Sequence, residues 1–180
     1  MTDRNEARQI RDAYKAITHP YAPYVTTAVT LTLKEWAKVK AKRFDNSDER
    51  FEQLVKLNDE HIQSTIRYFT ARLTHYLFGH SARRDPNARP LVLITIEGTV
   101  SRQCPHLHAA IGNVPIDRQA NLHHYIQQAW ADCDFGNKQV RIEAIINAYG
   151  WLEYMTKEMG YKGSNAFIDA SVPRIIQDSI

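Results

Sequence analysis

Five residues have the types and spacing to hold a divalent cation and do chemistry beside it: Glu97, His106, His108, Tyr154 and Lys157. Side chains alternate across a strand, so the histidines of His106-Leu107-His108 point to one face and can grip one ion. A symmetric hairpin turn centred on Ser101-Arg102 would set Glu97 directly opposite His106, and Thr95 opposite His108. Cross-strand neighbours on one face lie about 4.5–5.5 Å apart at Cβ, close enough for three side chains to share a cation. Two imidazoles and one carboxylate leave coordination positions open for water or a phosphate oxygen, as a catalytic site requires. A single strand histidine is more often an ordinary polar or core residue. Two at this spacing, facing a carboxylate, are harder to dismiss.

Tyr154 and Lys157 stand three apart in a segment that reads as helix over 147–159, so they share one helix face. A tyrosine is a weak nucleophile until a metal or a neighbouring cation assists it. Lys157 can activate the Tyr154 hydroxyl or orient a phosphate beside it. Taken alone, Trp151 and Tyr154 would be packing residues and Lys157 a solvated charge.

The elements that must position these groups follow from periodicity. Residues 1–18 read as a short helix or arm with Ile10, Tyr14 and Ile17 at helical spacing, and His19-Pro-Tyr-Ala-Pro23 breaks it. Val25–Leu33 alternates as a strand and runs into the basic stretch Lys34–Arg43. A long helix is expected from Asn46, capped with help from Glu49. Phe51, Leu54, Val55, Ile62, Ile66, Phe69, Leu73 and Leu77 would form its apolar stripe, and Gly79 its end. Residues 83–90 read as a loop, 91–97 and 105–112 as paired antiparallel strands, 117–133 as a helix and 138–145 as a fourth strand. From Gly160 the chain reads as irregular. The order predicts an α+β fold: an antiparallel sheet of about four to five strands with helices packed on one face, of the split βαβ type. Residues 1–180 would form one domain, with an N-terminal arm over 1–24 and a C-terminal tail over 160–180.

A strand ending Thr30-Leu-Thr-Leu33, the strand Pro105-His-Leu-His-Ala-Ala-Ile-Gly112 and the helix motif Tyr154-x-x-Lys157 occur in that order over residues 25–159. Together they resemble the HUH endonuclease superfamily, in particular the single-tyrosine rolling-circle replication initiators (Rep proteins) of plasmids and phages. The resemblance implies an RRM- or ferredoxin-like fold and a Mg²⁺ or Mn²⁺ ion held by His106, His108 and Glu97. It further implies that Tyr154 attacks a phosphate of single-stranded DNA, leaving a 5′-phosphotyrosine and a free 3′-hydroxyl, with Lys157 beside the tyrosine and the phosphate. Other His-x-His families fit badly. Histidine-triad hydrolases need a third histidine and metallo-β-lactamases an aspartate where Ala110 stands, and cupins need a glutamate within Ile111-Gly-Asn-Val114. Tyr149 precedes Tyr154 by five residues, about 140° around a helix, which argues for one nucleophile. A relaxase would offer a third histidine near the pair. The rival readings are a single-tyrosine transposase of the same superfamily and a non-catalytic RRM-like nucleic-acid-binding module, which the absence of an aromatic stacking pair on the sheet disfavours.

Composition sets outer limits. The chain has 180 residues, 43% hydrophobic and 24% charged, which excludes a disordered chain. No apolar run approaches the ~20 residues of a membrane span, so no membrane partner is expected. Cys104 and Cys133 are too few to staple this fold and read as reduced thiols in a cytoplasmic protein, for which the resemblance implies a bacterial or archaeal host. The net charge of +3 permits a nucleic-acid partner without requiring one. Lys34, Lys38, Lys40, Lys42 and Arg43, with Trp36 among them, suit phosphate contact and base stacking. Arg83, Arg84, Arg89 and Arg102 could add to them, and the face bearing Thr30 and Thr32 could be the floor for DNA. His123-His124 reads as surface. The partner that the resemblance implies is single-stranded DNA at a replication origin, with or without a hairpin. The chain has no phosphate-binding Gly-x-x-x-x-Gly-Lys-Ser/Thr motif, so helicase and polymerase would come from the host.

Overall fold

A computed structural model describes residues 4–42, 50–98, 105–159 and 169–177. Along the chain, α1 (Arg4–Thr18) leads through a 3-10 turn (His19–Tyr24) into β1 (Val25–Leu33), β2 (Trp36–Lys42) and β3 (Arg50–Lys56). Then come α2 (Asp59–Phe78), β4 (Leu91–Glu97), β5 (His106–Gly112), α3 (Leu122–Ala131), β6 (Gly136–Ala144), α4 (Ala148–Met155), β7 (Asp169–Ser171) and α5 (Arg174–Gln177).

Residues branched at Cβ dominate β1, and they suit a pleat better than a helix. Val29, Leu31 and Leu33 turn one way and are buried, while Thr30 and Thr32 face the other and are partly exposed. The main sheet has the order β6-β1-β5-β4-β7, with every pairing antiparallel. Without β7, the sequence β1-α2-β4-β5-α3-β6 is the split βαβ arrangement that the periodicity predicts. The protein is α+β, with α2 and α3 packed on one sheet face. Their buried stripes (Ile62, Ile66, Phe69, Leu73 and Leu77 from α2; Leu122, Ile126, Ala129 and Trp130 from α3) meet Val29, Leu31, Ile94 and Leu107. Phe69 and Trp130 close this core edge to face, with ring centroids 5.7 Å apart.

The opposite face holds a smaller core of Ala22, Val25, Leu91, Leu93 and Ala110 with Leu152 and Met155 of α4 and Ile176 of α5. The long helix is shorter than its expected span. Helix α2 starts at Asp59, where the Asn58 side chain accepts from the His61 backbone N–H at 2.8 Å; it ends at Gly79 with φ +57°. Phe51, Leu54 and Val55 lie instead on β3, which pairs with β2 as a separate two-stranded ribbon. Phe51 and Val55 are four apart, a spacing that fits one helix face and one strand face equally well. Asn46 and Glu49 lie outside the described residues.

Helix α1 forms where the spacing predicts it; Ile10 and Ile17 are exposed, and the helix is held by buried Ala7 and Thr18 and by an ion pair from Lys15 to Glu153 of 2.9 Å. The end of the chain is not wholly irregular: β7 adds to β4 at the sheet edge, and Ile176 enters the smaller core. Cys133 is buried and free, whereas Cys104 lies outside the described residues. Among the described residues, no helix is long and apolar enough to cross a membrane.

Candidate metal centre and tyrosine helix

The β4–β5 pairing has the register of a symmetric turn, with Glu97 opposite His106 and Thr95 opposite His108. The turn itself, and Arg102 with it, lies outside the described residues. Glu97, His106 and His108 each offer a ligand atom, and these atoms all lie within 4.8 Å of one another. The Glu97 carboxylate Oε2 is 2.5 Å from His108 Nε2 and 3.6 Å from His106 Nε2. The two rings meet edge to face at 5.0 Å. Behind them β1 pairs with β5, so that Thr30 stands beside His108 and its Oγ1 is 3.1 Å from His108 Nδ1. The Thr95 hydroxyl, on the other side of His108, is buried without a hydrogen-bond partner among the described residues.

Helix α4 lies across this face. The Asn147 side chain caps it by accepting from the Gly150 N–H at 2.9 Å, and Leu152 and Met155 anchor it in the smaller core. The Trp151 indole N–H donates to the Ala109 carbonyl at 3.1 Å, tying the helix to the strand that carries the histidines. Trp151 stacks on Tyr154 with centroids 5.4 Å apart and planes 20° from parallel. The Tyr154 ring meets His108 edge-on at 5.0 Å, and 43% of the tyrosine remains exposed to a ligand. The helix ends at Met155, short of the expected 159, and Lys157 stands in the turn after it, where its N–H donates to the Tyr154 carbonyl at 3.1 Å; its Nζ is 3.9 Å from the Tyr154 ring centroid and 2.7 Å from Glu97 Oε1. One residue on, the Glu158 carboxylate accepts from the Gly98 N–H at 3.0 Å. Gly98 follows Glu97 at φ +89°, a conformation that favours glycine.

The electrostatics suit cation binding. Burial acts to raise the Glu97 pKa, but hydrogen bonding to Lys157 and the neighbouring His108 outweigh it, and the carboxyl lies below its usual value. Burial is also the main influence on His108, pulling it down to about 4 against the attraction of Glu97; His106 and Lys157 push the same way as burial. His108 is therefore neutral near pH 7, as a metal-ligating imidazole must be. Burial of Lys157 acts to lower its pKa, yet hydrogen bonds to Glu97 and Tyr154 hold it above its usual value, so it remains a cation. An ionised Glu97 carboxylate and the neutral His108 imidazole on adjacent strands, with the His106 ring beside them, fit a divalent ion with open positions.

All five residues expected to do chemistry thus converge. The residues expected to touch DNA divide into two groups. Trp36, Lys38 and Lys40 share the outer face of the β2–β3 ribbon, with Leu54 and Lys56 beside them; Trp36 and Leu54 are 49% and 62% exposed. Lys34 stands at the root of the ribbon, where its ammonium donates to the Asp134 carbonyl at 3.0 Å. That root follows directly from the Thr32 end of β1, which is paired with His106. Arg83 and Arg84 instead precede Leu91, at the end of β4 about 20 Å from Glu97. The face bearing Thr30 and Thr32 is only partly exposed, and Thr30 is committed to His108. Tyr149 packs edge-on against His19 at 5.4 Å and is no part of the centre. His123 and His124 are exposed, as expected.

Three contributors went unassigned in the sequence. Trp151, three residues before Tyr154, carried a spacing signal; Thr30 carried a strand-register signal; Glu158 carried none. No family model matches this chain, and no curated protein or solved structure matches it.

Proposed function

We propose that the protein is a metal-dependent nicking and joining endonuclease for single-stranded DNA that initiates rolling-circle replication, as single-tyrosine Rep proteins of the HUH superfamily do. The observation that carries this reading is the docking of Tyr154, on α4, and Lys157, in the turn that follows α4, on the Glu97, His106 and His108 cluster. A packing helix has no need to turn an exposed tyrosine and a charged lysine toward a cation site.

Glu97, His106 and His108 would hold Mg²⁺ or Mn²⁺, and the imidazole-rich donor set favours manganese over magnesium. When bound, the ion would supply positive charge to a phosphate oxygen. The Tyr154 phenolic oxygen attacks phosphorus and its proton passes to solvent. The P–O3′ bond breaks, and the departing 3′-oxygen takes up a proton from solvent. The products are a 5′-phosphotyrosine and a free 3′-hydroxyl, which can prime synthesis or reverse the step. Lys157 offsets charge on the phosphate and the phenolic oxygen, and Trp151 holds the ring of the nucleophile; positioning and electrostatics are the main contributions in phosphoryl transfer. Lys34, Trp36, Lys38 and Lys40 would carry the DNA strand that leaves the centre, through phosphate contact and stacking.

The test is adduct formation. Wild type and Tyr154→Phe are mixed with pooled single-stranded oligonucleotides and Mn²⁺ and resolved on denaturing gels. A slower band that requires both metal and Tyr154 is expected, and its DNA identifies the target. Wild type that binds Mn²⁺ and the DNA pool yet forms no adduct would point to the RRM-like binding module. Wild type that binds no divalent ion would overturn the reading.

A further inference from the structure

We propose that Thr30 is a positioning residue of the metal centre: its hydroxyl sets the tilt of the His108 ring by pairing with Nδ1 in either tautomer, and through that pairing the affinity for the ion. This rests on the metal reading given above.

His108 sits within a cross-strand row of Thr95, His108, Thr30 and Arg141. The imidazole is 3% exposed, with Nε2 aimed at Glu97 and Nδ1 3.1 Å from the Thr30 hydroxyl. Trp151 and Tyr154 meet the ring edge to face at 5.6 and 5.0 Å, contacts that limit its position while leaving the ring proton unassigned.

A histidine that ligates through Nε2 must carry its proton on Nδ1 and donate it to an acceptor. When Nε2 keeps its proton and donates to Glu97, Nδ1 becomes an acceptor and needs a donor. A carbonyl or carboxylate beside Nδ1 could serve only the first case. A hydroxyl rotates and serves both, so the ring keeps one orientation whichever nitrogen is protonated. A strand position asks for nothing of this kind, because valine has the same shape and an equal or better β propensity. Thr30→Val should therefore leave the sheet intact and act on the metal.

The full chain is titrated with Mn²⁺, followed by electron paramagnetic resonance, and the His108 tautomer is read from ¹⁵N ring shifts. Thr30→Val is expected to bind Mn²⁺ about 10–100-fold more weakly at an unchanged Tm, with the His108 Nδ1 resonance shifted by loss of its hydrogen bond. Thr30→Ser, which keeps the hydroxyl, should return to within about 3-fold of wild type. If Thr30→Val does not fold, Thr30→Ala removes the same oxygen and takes its place. Wild-type affinity and His108 ring shifts in the variant lacking the hydroxyl would overturn the role of Thr30 while leaving the metal centre standing. A wild-type chain that binds no Mn²⁺ would overturn both.

Discussion

Glu97 and Lys157 meet at 2.7 Å across the junction of β4 and α4, through Oε1 of a carboxylate whose Oε2 faces both histidines. The two oxygens are thus divided: one faces the two histidines, and the other, through Lys157, ties their cluster to the turn that follows the Tyr154 helix. Lys157 also lies over the Tyr154 ring, so one ammonium links the ligand and the tyrosine.

Replacing Lys157 by Met keeps the length of the side chain and removes its charge. Adduct formation is expected to fall by about 10²–10³-fold, the scale on which single preorganised electrostatic contacts act. Mn²⁺ affinity should hold or rise, because a cation beside the carboxylate is gone. Parallel adduct and Mn²⁺ titrations check this; equal losses in both would show that Lys157 serves the metal site alone.

Stability should depend on pH through His108. Its pKa is about 4 in the fold against an ordinary 6.5, so between these values the unfolded chain binds a proton that the folded chain refuses. Stability is then complete above about pH 6.5 and is lost as pH falls toward 4, by about 3 kcal/mol. The depressed Glu97 carboxyl acts in the same direction at still lower pH. Urea unfolding with chelator at pH 7.5 and 4.5 measures the loss, and His108→Gln should reduce it.

The hydrogen bond from the Gly98 N–H to Glu158 joins the end of β4 to the end of α4. Glu158→Ala leaves that buried donor without its acceptor, at a cost of about 1–3 kcal/mol. Because Gly98 follows Glu97, Mn²⁺ binding should weaken as well, whereas Glu158→Gln, which retains an acceptor, should come close to wild type. Thermal melts and Mn²⁺ titrations of the two variants separate these effects.

The β2–β3 ribbon carries Trp36, Lys38 and Lys40 of the expected DNA contacts. Lys38→Ala with Lys40→Ala should flatten the dependence of log affinity on log salt for single-stranded DNA by about 1.4, two phosphates at ~0.7 each. Adduct yield at saturating oligonucleotide should be unchanged. Lys38 already has Glu52 at 3.4 Å, an exposed pair too weak to hold it from a phosphate. An unaltered salt slope would remove the ribbon from the DNA path.

The alternation of His106 and His108, the β-branched run of β1 and the three-residue spacing of Tyr154 and Lys157 are local properties. They survive any error in packing, which is why the paired strands, their register and the five central residues were legible without coordinates. Register in particular follows from period two, since a one-residue slip would turn Glu97 and both histidines away from one another. The β2–β3 ribbon was misread because Phe51 and Val55 satisfy two periods at once, and only burial of Ala37 and half-burial of Val39 and Val55 against the main core choose between them. Contacts between elements were not legible at all. Nothing near Lys157 in the chain announces Glu97, nothing near Thr30 announces His108, and nothing near Glu158 announces Gly98; each pair is made by folding α4 or β1 onto strands far away in sequence. By itself the sequence determined which chemistry was available and on which faces. Tertiary structure decided which groups meet, because long-range contacts depend on how whole elements pack rather than on the spacing within any one of them.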